Sequence, residues 1–260
     1  MFGRRQCCCN VGSNRLIVHC GEYLQENGEQ PRFDLQPLLS ALEASSTEAQ
    51  SLQIAKYMKT EKPVYGVKVP LLRSLVREYA SQQREIFSPW DAEKSRSLAK
   101  CLWQTENWSL QQAAIEVLEY DLKWHKKEAS KLETLKFCEG LIMPGLDGWA
   151  QTDLLATKVL PYLVPNAQHL LGWLDSKSFW IRRCSLLAQF PQMRKQQADL
   201  QVYLQCVDAL LEDSEWFIQK AIGWSLRECG KKEAEWVLSV VEQRPKMSKL
   251  ARKEALRNLV

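Results

Sequence analysis

The sequence predicts an all-α fold made of stacked helical repeats, and three observations support this class. From about residue 35 onward, apolar residues recur at spacings of three and four, as in LLRSLVREYA (71–80) and LQQAAIEVLEYDL (110–122). No stretch alternates with a period of two for long enough to indicate a sheet, and prolines stand between the helical segments. The third observation is that the chain repeats itself.

The repeat is clearest in the string LDSKSFWIRR (174–183), which returns 37 positions later as LEDSEWFIQK (211–220). Both copies contain a leucine, an acidic residue, two adjacent aromatic residues, an isoleucine and a polar-cationic pair. Shorter strings align in the same way: SLQQAA (109–114), WIRRCS (180–185) and FIQKAI (217–222). A copy missing from this series would fall near residue 145, close to the helical segment GWAQTDLLATKVL (148–160).

A period near 37 with helices throughout favours HEAT-like (armadillo-type) repeats. In such a solenoid each helix pair buries its apolar face against its neighbours, and one helix of each pair lines a concave side. The repeated string is expected to mark that helix. Ser176 and Ser214 stand where its N-caps are expected.

Aromatic and charged residues recur at the same positions of these helices. Residues spaced by three, four or seven share a helix face. The predicted face-sharing sets are Phe217, Lys220 and Trp224; Trp180 and Arg183; and Trp149 and Asp153. Taken singly, each Trp could serve packing between repeats, and each charge could be solvated surface or a cap. Their coincidence in register favours a groove with aromatic plates, cations and one carboxylate, because core packing has no need of cations there.

Composition limits the other possibilities. The chain has 260 residues, a net charge of +4, and no apolar run of the roughly 20 residues that a membrane span needs. Nine cysteines without zinc spacing predict a reducing, intracellular (cytoplasmic) location, and neither a metal nor a cofactor is expected. We expect residues 1–35 to form a poorly ordered extension, with a transit peptide as the alternative, and residues 36–260 to form a single domain.

Several segments, in order along the chain, resemble the AlkD-like DNA alkylation repair family of HEAT-like-repeat DNA glycosylases. The resemblance covers about residues 45–260, and the FIQKAIGWxLRE string is its most specific part. The segments are YMKT (57–60), GVKVPLLRSLVREY (66–79), LWQTENWSLQQAAIEVLEY (102–120), GWAQTD (148–153), FWIRRCSLL (179–187), WFIQKAIGWSLREC (216–229) and LARKEALRNL (250–259).

The resemblance implies a C-shaped domain whose concave groove binds duplex DNA and which excises cationic N3- and N7-alkylated purines without an enclosing pocket. It also implies a role for each residue of this chain that matches a functional position of the family. The implied catalytic residues are Asp153, Trp149 and Trp224, and the implied DNA contacts are Arg183 and Tyr57. Family members often have an Asp directly after the motif Trp, where this chain has Ala150, so capping of that helix is expected to shift to Asp147.

The residue types suit this chemistry, because a carboxylate can stabilise the positive charge that develops on deoxyribose as a cationic base departs. Lys220, Trp180 and Arg252 complete the predicted DNA contacts, and the partner is expected to be damaged duplex DNA bound by a monomer, nucleoid-associated when bound and away from membranes. Two alternatives remain open: a catalytically silent relative that binds distorted duplex, and a HEAT-repeat scaffold for protein partners.

Overall fold

The computed structural model describes residues 31–257 and 259, and this part of the chain is all-α, as predicted. Short 3-10 and π-helical turns join the α-helices, and the described residues form no strand. The helices are α1 (Gln36–Ala44), α2 (Glu48–Met58), α3 (Val69–Ile86), α4 (Ala92–Trp103), α5 (Trp108–Asp121), α6 (Glu128–Phe137), α7 (Trp149–Leu154), α8 (Leu160–Leu163), α9 (Phe179–Leu187), α10 (Phe190–Arg194), α11 (Leu200–Ala209), α12 (Trp216–Gly230), α13 (Ala234–Glu242) and α14 (Lys249–Leu256).

One buried apolar cluster runs from Phe33 to Ala255. Phe33 and Leu35 belong to it, so the packed part of the chain includes residues just before α1. The rest of the predicted extension, residues 1–30, lies outside the described residues. In the part that is described, every helix is too short or too polar to cross a lipid bilayer.

The helices are arranged in two layers. One is a continuous row in which α3, α5, α7, α9, α12 and α14 each pack on the next. Helices of the second layer cover this row: α4 packs on α5, α11 on α9, and α13 on α12 and α14. This order confirms the predicted class of stacked helical repeats. The concave shape of a groove remains a prediction.

A shared hydrogen bond explains why the chain repeats itself. The third residue of each aligned string has a long side chain that donates to a backbone carbonyl just before its own helix, either in the loop or, for Gln111, at the end of the preceding helix α4. The pairs are Gln111 Nε2 with Trp103 O (3.2 Å), Arg182 Nη1 with Ser176 O (2.8 Å) and Gln219 Nε2 with Asp213 O (2.8 Å). Buried carbonyls require such donors, so this position is structural. The next position of the string holds Arg183 and Lys220. These residues belong to the candidate site and not to this set of structural hydrogen bonds.

The predicted N-caps of these helices are wrong. The N-cap of α9 is Ser178, and that of α12 is Glu215, and neither side chain makes a capping hydrogen bond. Ser176 instead accepts from the Ser178 backbone N–H at 3.2 Å within the preceding loop. The loop carbonyls held by the repeated side chains, rather than serine caps, therefore fix where these helices begin.

Gly223 permits the close approach of α12 and α14. A methyl group added there would lie 2.5 Å from Glu254 Cβ and 2.7 Å from the carbonyl oxygen of Ala251. We expect Gly223→Ala to lower the free energy of unfolding by about 1–3 kcal/mol, because one helix must shift. Urea unfolding measures this. The matched control is Gly140→Ala, where an added methyl has nothing within 4 Å, and equal stabilities of the two variants would contradict the prediction.

His125 should make stability depend on pH. It lies buried, with Thr134 Oγ1 2.8 Å from Nδ1 and Ser95 Oγ 3.4 Å from Nε2. Burial, and then the charge of Arg96, lower the pKa of His125 to about 4. The unfolded chain takes up this proton near pH 6.5, so the free energy of unfolding should fall by up to about 3 kcal/mol as the pH drops from about 6.5 to about 4.

The measurement for His125 is urea unfolding at pH 7 and at pH 4.5, for the wild type and for His125→Gln. The difference in unfolding free energy between the two pH values should be smaller in the variant, which has no imidazole to protonate. Equal differences in the two proteins would remove His125 as the cause.

Candidate functional site

A pocket of about 380 Å³ opens along the helix row where α7, α9, α12 and α14 meet, with α2 at one side. It brings together six of the eight residues that the sequence predicted for the site: Tyr57, Trp149, Asp153, Arg183, Lys220 and Trp224. They come from four separate helices, so the row of helices, rather than any single motif, assembles them.

Asp153 is the one candidate carboxylate that the sequence predicted, and the structure orients it firmly. Arg183 donates from Nε to Oδ1 at 2.7 Å and from Nη2 to Oδ2 at 3.0 Å, a bidentate pair. The two side chains are only 18% and 6% exposed. Burial raises the pKa of Asp153 above its usual range, while the hydrogen bonds and charge of Arg183 act in the opposite direction. Arg183 therefore orients the carboxylate and opposes the rise in its pKa.

Arg183 connects three helices of the row. Besides its pair with Asp153 on α7, it donates from Nη1 to the carbonyl oxygen of Phe217 on α12. Its guanidinium also lies 5.9 Å from the ring centroid of Trp224. These contacts explain why Arg183 is buried although it carries a charge. Its predicted contact with DNA stays a prediction.

Aromatic side chains flank the carboxylate. Trp149 is the first residue of α7, and Tyr57 from α2 meets it edge to face with ring centroids 5.7 Å apart. Tyr57 is 67% exposed, so its ring remains open to a ligand. On α12, Trp224 packs edge to face on Phe190 at 4.7 Å. The pocket thus has indole rings on two of its helices, each held by a second ring.

Helix α7 does not begin with the side-chain cap that we expected to compensate for Ala150. The predicted shift of the cap to Asp147 is wrong, because the N-cap of α7 is Gly148 and no side chain caps it. Asp147 instead pairs with Lys62 at 3.2 Å and accepts from Thr60 Oγ1 at 3.4 Å. It ties the loop after α2 to the loop before Trp149. Because Arg183 holds Asp153 in place, the orientation of Asp153 does not depend on the residue that follows Trp149.

Phe217, which was expected on the same face as Lys220 and Trp224, also lines the pocket, and sequence reasoning missed three lining residues: Trp216, Arg227 and Glu254. Arg227 follows Trp224 by three residues, so helical spacing could have identified it. Glu254 on α14 pairs with Lys220 at 2.7 Å and also with Arg227. These two cations hold the pKa of Glu254 down at about 2. The pocket therefore contains a second carboxylate that stays ionised.

Two predicted residues do not line the pocket. The ring of Trp180 packs on Phe179 and Phe217, with centroid separations of 4.3 and 4.8 Å. Arg252 donates from Nη2 to the carbonyl oxygen of Arg244 at 3.2 Å. Their DNA contacts stay predictions, as do the roles of the six residues that the pocket unites.

The fold and this pocket define a helical-repeat protein with an oriented carboxylate among aromatic rings and cations. A profile of the DNA alkylation repair enzyme family matches residues 38–259, and the chain belongs to that family. Among solved structures it is similar to one described as a predicted DNA alkylation repair enzyme from Enterococcus faecalis, at 22% identity and a TM-score of 0.69. That similarity covers 83% of this chain and 97% of the other, and it concerns the fold. No curated protein matches the chain.

Proposed function

We propose that this protein is a DNA glycosylase that hydrolyses the N-glycosidic bond of cationic N3- and N7-alkylated purines in duplex DNA. One observation carries the proposal: Asp153, which is 18% exposed and held by Arg183 at 2.7 and 3.0 Å, lines the same pocket as Trp149 and Trp224. A partly buried carboxylate whose pKa is raised by desolvation and opposed by a dedicated charged partner is typical of a functional site.

The chemistry needs little more than a charge and a water molecule. A purine alkylated at N3 or N7 is already positive, so it departs as a neutral base with the electron pair of the C1′–N bond and needs no general acid. Positive charge then develops on the deoxyribose. A carboxylate about 4 Å away, at an effective dielectric near 20, stabilises that charge by roughly 4 kcal/mol, or about a thousandfold in rate. Asp153 also orients the water that adds to C1′.

The aromatic residues supply recognition. A cation near an indole face gains roughly 0.5–2 kcal/mol, so Trp149 and Trp224 favour a positively charged nucleotide over a neutral one. Tyr57, two-thirds exposed beside Trp149, extends the same surface. This recognition needs no hydrogen bonds that read a particular base, which suits a repair enzyme that accepts more than one methylated purine.

Backbone binding falls to the cations around the pocket. Lys220 lines it, and Lys249 and Lys253 are exposed on α14. Each phosphate that a cation neutralises releases counterions, so affinity for duplex DNA should weaken steeply with salt. Such binding positions the duplex without reading its sequence.

The two alternatives make different use of the same residues. A silent DNA-binding relative has no need of an oriented, partly buried carboxylate, and a scaffold for protein partners has no reason to prefer cations at equivalent repeat positions. The Asp153–Arg183 pair therefore favours the enzyme over the silent relative. We expect the enzyme to act as an intracellular monomer without a cofactor.

The decisive experiment is to incubate the protein with methylated duplex DNA and to identify released 3-methyladenine and 7-methylguanine by chromatography. Base release supports the glycosylase. Salt-sensitive binding without release supports the silent relative, and the absence of any duplex binding supports the scaffold.

A further inference from the structure

Glu254 lines the pocket, and the predicted roles give it no part. Its carboxylate is 12% exposed and bridges two cations of α12. Lys220 Nζ approaches Oε1 at 2.7 Å, and Arg227 Nη1 contacts Oε2 and also the Glu254 backbone carbonyl, at 3.2 Å. Both cations are therefore already engaged by a carboxylate of the same protein before any phosphate arrives.

The charges of the pocket are nearly balanced as a result. Three cations and two carboxylates line it, a net of one positive charge. Arg183 is occupied by Asp153, so Glu254 is the group that offsets Lys220 and Arg227. Its pKa of about 2 means that it remains ionised at every pH at which duplex DNA is stable. Without Glu254 the pocket would repel a cationic base more strongly and attract any phosphate more tightly.

We propose that Glu254 is a specificity-determining residue that makes the pocket prefer a cationic nucleotide to an undamaged one. This rests on the proposed function for the nature of the lesion. Glu254 acts in two ways: its charge attracts the positive base, and its ion pairs make a phosphate compete for Lys220 and Arg227. Undamaged DNA carries phosphates but no cationic base. Its binding is therefore weakened by the competition for Lys220 and Arg227 and is not strengthened by the charge of Glu254.

The test is the affinity for two duplexes of the same sequence, one unmodified and one with a single N7-methylguanine. For Glu254→Gln we expect the unmodified duplex to bind about threefold to tenfold more tightly at physiological salt, and the salt dependence to steepen by about 0.9 in log–log slope per freed cation. We expect the preference for the methylated duplex, the ratio of the two dissociation constants, to fall at least about threefold. Unchanged or weaker binding of the unmodified duplex, or an unchanged preference, overturns the proposal.

A matched control removes the same charge away from the pocket. Glu133 on α6 pairs with Arg96 on α4 at 2.9 Å, and Glu133→Gln should leave both affinities within about twofold of wild type. Equal effects of the two substitutions would mean that net charge alone is responsible, which also overturns the proposal.

A second variant should change the affinity for the unmodified duplex in the opposite direction, and this test remains valid if Glu254→Gln fails to fold. Lys220→Gln leaves Glu254 with Arg227 alone, so binding of the unmodified duplex should weaken about threefold and the preference for the methylated duplex should rise. A preference that stays constant or falls contradicts the proposal. Because these readouts are equilibrium affinities, they remain valid if no base is released, and base release measured in parallel tests the proposed function separately.

Discussion

Asp153→Asn should reduce the release of methylated purines about a thousandfold while leaving the affinity for duplex DNA within a few-fold. Asparagine keeps the shape of the side chain and one oxygen that can accept from Arg183. It removes the negative charge that the proposed mechanism places against the sugar, which at about 4 Å and an effective dielectric near 20 is worth roughly 4 kcal/mol. The loss should appear in the chemical step, because the charge is needed most where the sugar is most positive.

Single-turnover base release from methylated duplex, with enzyme in excess, measures this step, and equilibrium binding to the same duplex measures affinity. The matched control is Asp213→Asn, which breaks a similar pair with Arg182, 2.8 Å apart, outside the pocket. We expect the control to release bases at a rate within about twofold of wild type. Equal rates in Asp153→Asn and wild type would remove Asp153 from the mechanism.

The fold was predictable because its signal recurs. Each helix pair needs an apolar stripe and a donor for the backbone carbonyls before its helix. Because the same residue types are needed at the same positions of each pair, the sequence contains a repeating string. Gln111, Arg182 and Gln219 occupy one position of that string and bond the same kind of acceptor. A repeated structural need is visible without coordinates.

Within one helix, spacing also predicted the site. Phe217, Lys220 and Trp224 were expected on one face of α12, and all three line the pocket. Between helices the same reasoning failed. Glu254 lies 34 residues beyond Lys220 and reaches the pocket through the packing of α14 on α12, a contact that helical periodicity does not encode.

Predictions that depended on a helix boundary were the weakest. Helix ends shift by one or two residues with local contacts, so the choice of cap depends on the loop as much as on the residue type. Asp147 is a suitable capping residue by type, yet a long-range pair with Lys62 uses its carboxylate. Trp180 shows a different limit: it precedes Arg183 by three residues on α9, yet its ring packs on Phe179 and Phe217 and does not itself line the pocket.

Arg183→Gln should shift the acidic limb of the pH–rate profile for base release to higher pH. Asp153 must be ionised to act, so the rate falls as the pH drops through its pKa. Burial already raises that pKa, and Arg183 is the group that opposes the rise. Removing the guanidinium removes the opposition, so the limb shifts upward. We expect base release to be slower than in wild type on the acidic side, and the difference between the two proteins to narrow as the pH rises.

The pH–rate profile separates two roles that Arg183 could have. If it served only to bind a phosphate, its loss would lower affinity, reduce the salt slope by about one, and leave the acidic limb where it was. If it positions and ionises Asp153, the limb moves while the salt slope stays near that of wild type. The bidentate geometry at 2.7 and 3.0 Å, together with the hydrogen bond that Arg183 Nη1 donates to the carbonyl oxygen of Phe217, leads us to expect the second pattern. Arg182→Gln, the neighbouring arginine paired with Asp213, should leave the limb unchanged and serves as the control.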